Sequence, residues 1–181
     1  MICHPFKGDR SRKKPVPTLI AFPILLLVLM LQTVVAPTLP LLNGYADLML
    51  VVLVAWGLQE RVKNAWLWTA VGAGMVAYVS ALPLYVPVVG YGLVMALAQL
   101  VRRRVWQTPV LAMFMVTFAG SILSQGLALA VLVVGGANLN IADGINLVIL
   151  PGTLINLILA LPVHSLIVDL AQWMYPEEVE I

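Results

Sequence analysis

The sequence predicts an all-α integral membrane protein, a bundle of six transmembrane helices. Three observations predict it. Hydrophobic residues make up 62% of the 181 positions and charged ones only 10%, whereas a soluble domain carries about 25% charged residues. So little charge does not cover a water-facing surface. The apolar residues also fall in long runs, and a helix rising ~1.5 Å per residue crosses a bilayer in about 20 of them. Finally, all ten basic residues fall in three polar stretches: Lys7, Arg10, Arg12, Lys13 and Lys14; Arg61 and Lys63; Arg102, Arg103 and Arg104. Basic residues beside spanning segments stay on the cytoplasmic side. The three clusters therefore mark one face, to which every second crossing returns the chain.

Each element follows from its punctuation. The first helix is expected over about Thr18–Val35. The basic stretch before it resembles the start of a secretory signal, but the apolar run is long, Pro37 follows at once and further apolar segments come after it, so it reads as an uncleaved helix. Pro37–Asn43 reads as an outside loop and Tyr45–Gly57 as a short second helix with Asp47 at its entry. Glu60–Asn64 makes an inside turn, and the third helix covers Ala65–Leu82. Pro83 and Pro87 place an outside turn between them, because proline breaks a regular helix interior. The fourth helix then runs to Val101, where Arg102–Arg104 stop it. Pro109 starts the fifth, which lasts to Val134 and is long enough to tilt. Gly135–Gly144 is the third outside loop, with Asn138, Asn140 and Asp143 as turn formers. The sixth helix covers Ile145–Gln172, kinked at Pro151-Gly152 and at Pro162. The chain thus divides into a basic N-terminus (1–15), a membrane domain (16–175) and an acidic tail (176–181), both ends cytoplasmic. Trp66, Trp68, Trp106 and Trp173 fall at inner helix ends, and Tyr45 and Tyr85 at outer ones, as interfacial belts require.

Helices in lipid associate through close packing at small residues. The third helix offers Ala70, Ala73, Ala77 and Ala81, and the fifth Gly120, Ser124 and Ala128, while Gly90 and Gly92 lighten the fourth. These stripes are packing surfaces within the bundle or faces for a partner. Gln32 and Gln99, near helix ends, read as interfacial. Gln125, beside Ser121 and Ser124, either hydrogen-bonds across the bundle or lines a cavity. Asn156, His164 and Asp169 share the sixth helix. His164 and Asp169 point about 140° apart and make no ready proton relay.

Several chemistries are excluded. Cys3 is the sole cysteine, so neither an internal disulfide nor a cysteine metal cluster forms. The chain has no HExxH and no Walker A sequence, its only histidines being His4 and His164. Without two convergent titratable groups, no catalytic residue, metal or cofactor is expected. The basic residues flank membrane segments, which disfavours nucleic acid and favours an anionic inner leaflet, at roughly 1 kcal/mol per basic residue.

Four pieces of the chain resemble the rod-shape-determining protein MreD family. They are Gln32-Thr33 at the end of the first helix, Ala46-Asp47-Leu48-Met49 at the start of the second, Gly90-Tyr91-Gly92 with the Arg102–Arg104 stop in the fourth, and the run Leu150-Pro151 … Asn156 … Leu161-Pro162 in the last. Ala46 stands where the family has proline, and the third helix lacks an acid usual there. The resemblance implies a non-enzymatic scaffold of the bacterial cell-elongation machinery in the cytoplasmic membrane. It would pair with an MreC-like bitopic protein and reach MreB and the RodA–penicillin-binding-protein synthase through it. It also implies a fold resembling the substrate-binding component of energy-coupling-factor vitamin transporters. Such a transporter component is the alternative. It would show a pocket lined by Gln125, Asn146 and Asn156, though Leu25 stands where its docking pattern from Ala21 needs a second alanine. A proton-coupled carrier lacks enough buried ionisable groups.

Overall fold

The computed structural model describes residues 16–35, 45–60, 62, 64–104 and 108–174. These described residues form six helices: α1 (Val16–Val35), α2 (Leu48–Leu58), α3 (Ala65–Val79), α4 (Tyr85–Arg102), α5 (Pro109–Val134) and α6 (Ile141–Met174). No strand occurs among the described residues. Among the described residues, three helices, α4, α5 and α6, are long and apolar enough to cross a membrane. Residues Phe22–Val34 of α1, together with α2 and α3, make shorter apolar helices.

The short α2 is the axis of the bundle. Its sequence is apolar on every side, which is the mark of a buried helix, and every residue from Leu48 to Gly57 is buried. It touches each of the other five helices. At ~1.5 Å per residue its 11 residues span about 16 Å, roughly half the ~30 Å hydrocarbon core. Trp56 near its C-terminal end stacks on Trp68 of α3, ring centroids 4.0 Å apart. Both indoles are fully buried, so Trp68 belongs to the core and not to the interfacial belt the sequence predicts. Trp66 and Trp173 are exposed, as are Tyr45 and Tyr85. Trp106 lies outside the described residues.

Small residues set the close approaches. Gly120 on α5 faces Val94 on α4, and a β-carbon at Gly120 would come within 2.9 Å of the valine methyl. One turn on, Gly90 faces Ser124. Gly120→Leu is therefore expected to lower the thermal unfolding midpoint in detergent, since overpacking typically costs about 1–3 kcal/mol. On α3, Ala73 and Ala77 are buried as the stripe predicts, but Ala70 is exposed and Ala81 falls beyond the helix end. Trp68, Thr69 and Gly72 centre the buried face, and Ala70 stands about 150° round the helix from that centre.

Other boundaries move for local reasons. Asp47 caps α2, which starts at Leu48. Pro87 lies inside the first turn of α4, not in a loop, because a first-turn residue has no helical N–H partner to lose. After α5, Gly136 adopts φ +85°, a left-handed conformation that glycine reaches without strain. α6 begins four residues before its expected start, with the Asn140 side chain accepting from the Ala142 N–H at 3.1 Å. Asp143 is consequently helical and not a turn residue. Residues Gly144–Ile149 widen into a π-helical segment just before Pro151. That wider turn lies where the proline ring would crowd the carbonyl four residues back. α6 stays helical through Pro162.

The C-terminal ends of α2 and α4 meet. Arg102 donates to the Gln59 carbonyl at 2.9 Å, and Gln99 to the Gly57 carbonyl at 3.3 Å. Arg103 and Arg104 are exposed beside them. Lys13, Lys14, Arg61, Lys63, the basic N-terminus and the acidic tail lie outside the described residues.

Candidate functional site

A helix start leaves backbone N–H groups without partners inside the helix. In hydrocarbon no water satisfies them, so protein must. At the start of α2 side chains do so. The Asp47 carboxylate accepts from the Leu50 N–H at 3.0 Å, and Gln32 of α1 accepts from the Met49 N–H at 2.9 Å. The Asn156 oxygen of α6 accepts from the Asp47 N–H at 2.8 Å.

These groups are held in turn. The Tyr91 hydroxyl of α4 lies 2.9 Å from both Asp47 carboxylate oxygens and donates to them. The Asn156 amide donates to the Ser121 hydroxyl of α5 at 3.0 Å. The Gln32 amide donates to the Tyr45 hydroxyl at 2.6 Å. One connected knot therefore ties α1, α2, α4, α5 and α6 together, and Gln32, Asp47, Tyr91, Ser121 and Asn156 are all buried in it. A carboxylate at a helix N-terminus also meets the positive end of the helix dipole, which suits Asp47 to its place.

A cavity of about 230 Å³ adjoins the knot. Its wall includes Gln32, Tyr45, Asp47, Ser80, Tyr91 and Gln125, with aliphatic side chains of α1, α3 and α4 between them. It lies at the end of the bundle where α1 and α3 finish and α2 and α4 begin, away from Arg102–Arg104. Gln125 sits on this wall, and neither amide atom has a hydrogen-bond partner. Gly152 of α6 packs against that amide: a β-carbon there would lie 3.0 Å from both amide atoms and 3.0 Å from the Tyr45 carbonyl oxygen.

Of the residues singled out from sequence, Ser124, Gln125, Gly120, Pro151 and Asn156 gather where α5 meets α4 and α6. Ala73 and Ala77 pack on the inner side of α3. Ala81 and Pro162 are exposed and take no part. His164 is half-buried, its Nδ1 without a partner. No group of three metal-ligating side chains occurs among the described residues.

Gln32, Asp47 and Tyr91 stand in the family-like pieces of the sequence but not among its candidate site residues, and Ser121 enters there only as a neighbour of Gln125. Gln32 reads as interfacial but is 2% exposed, because it caps another helix. Asp47 carried a usable signal: it is the sole acidic residue between positions 16 and 59, and an ionisable residue inside an apolar segment marks a site by default. Tyr91 had no such signal.

No family model, curated protein or solved structure matches the chain.

Proposed function

We propose that the protein is a non-enzymatic, multi-pass scaffold of the MreD type in a bacterial cytoplasmic membrane, with six spans and both termini inside. One observation carries this reading. The MreD-like pieces of the sequence are scattered from Gln32 to Asn156, yet a residue of each one meets in the same knot: Gln32, Asp47, Tyr91 and Asn156. Pieces that hold one another in place are what a shared architecture requires, and nothing in the knot is poised to react. Its hydrogen bonds rigidify a bundle whose outer faces stay apolar, which suits docking of a partner's spanning helix.

The vitamin-transporter alternative has thinner support. Of its expected pocket residues Gln125 lines the cavity, but Asn146 is exposed on the π-helical segment and the Asn156 amide is already bonded at both ends.

Affinity purification from the native host, in mild detergent, tests the scaffold. An MreC-like protein with a single spanning helix is expected to co-purify in stoichiometric amount. Recovery of folded protein without any such partner would overturn the proposal.

A further inference from the structure

We propose that the cavity beside Gln125 binds a small uncharged molecule bearing an amide edge, an N–H donor next to a C=O acceptor, which pairs with the Gln125 carboxamide. The inference stands independently of the scaffold reading. Buried polar groups are nearly always hydrogen-bonded, and one that is not calls for an explanation. Here both the nitrogen and the oxygen of a carboxamide are buried and unbonded. A leucine of similar size would fill the position without that penalty. The missing side chain at Gly152 keeps open the space that the amide occupies.

The cavity supplies what the amide lacks. It holds about 230 Å³, far beyond the ~10–15 Å³ that seats one water. Neither amide atom is open to solvent, so a ligand engages Gln125 once the side chain rotates from Gly152 toward the cavity. The hydroxyls of Tyr45, Ser80 and Ser124 offer further hydrogen bonds, and Leu29, Val76 and Val79 offer apolar contact for the body of the molecule. The wall also sets the ligand's charge. Among the described residues no Lys or Arg lines the cavity, so an anion finds no counter-charge there. The acidic group on the described wall, Asp47, already accepts from Leu50 and Tyr91, so a cation is not required. A neutral donor–acceptor pair matches a neutral acceptor–donor pair.

Thermal unfolding of the full chain in detergent micelles tests this, with 2-pyrrolidinone and nicotinamide as probes. Cyclopentanone, which has the ring and carbonyl of the lactam but no N–H, is the control. The amide probes are expected to raise the unfolding midpoint saturably, and cyclopentanone is not. Gln125→Leu is expected to unfold at or above the wild-type midpoint without probe and to lose the probe-dependent rise. Three results would each overturn the proposal: no saturable rise in the wild type with either amide, an equal rise in Gln125→Leu, or an unliganded Gln125→Leu protein less stable than the wild type. The last would show that the amide has a structural role in the empty protein.

Discussion

Asp47→Ala is expected to destabilise the bundle by about 3–5 kcal/mol, among the largest effects of any single change outside the aromatic core. The substitution removes little volume but strands two donors. The Leu50 N–H and the Tyr91 hydroxyl both point at the carboxylate, and each unsatisfied buried group costs about 1–3 kcal/mol. Loss of the helix cap adds roughly 1 kcal/mol. Asp47→Asn keeps an oxygen for the backbone N–H and is expected to lose less than half as much. Unfolding by denaturing detergent, followed by circular dichroism, gives the ordering. A double-mutant cycle with Tyr91→Phe should show a coupling of about 1–2 kcal/mol, because the two residues share one interaction. An Asp47→Ala protein within ~0.5 kcal/mol of the wild type would mean that the knot does not bear on stability.

Trp56→Ala is expected to match it, at about 3–5 kcal/mol, the range for truncating a buried tryptophan. The reason is different. Inside a membrane the apolar surroundings do not drive the indole inward, but removal leaves a void whose lining loses its dispersion contacts. The stacked partner Trp68 loses the ring it lies against, which accounts for ~0.5–1.5 kcal/mol of that total. Trp56→Phe retains part of the stack and is expected to be far milder. Midpoints from circular dichroism compare the three proteins, and equal midpoints for Trp56→Ala and Trp56→Phe would refute the void argument.

The sequence told much about where helices lie and little about which way they face. α5 runs over Pro109–Val134 as its punctuation predicts, because proline starts and glycine stops are local signals. The buried face of α2 was not legible, since Leu48–Leu58 is apolar all round and has no polar side to mark the outside. Lipid is as apolar as leucine, so burial in protein and exposure to lipid select the same residues. Trp68 misled for a related reason: its position near a helix end fits a belt, and only the neighbouring Trp56 assigns it to the core. In the candidate site, Gln125 and Asn156 stood out as polar residues at depth. The pairing of Asn156 did not, because the Asp47–Asn156 bond joins positions 109 residues apart and no local pattern encodes such a pairing.

That same separation has a consequence for how the protein is made. Translation proceeds at ~5–20 residues per second, so Asn156 follows Asp47 out of the ribosome by on the order of 5–20 s. Throughout that interval the Asp47 N–H lacks the acceptor it has in the finished bundle. α2, too short to cross the hydrocarbon core unaided, is then sheltered first by α1 and α3 and, as they are made, by α4 and α5, all of which it touches. The central helix is thus committed early and secured last, and a nascent chain stalled before α6 would be held in the membrane with its axis still unlatched.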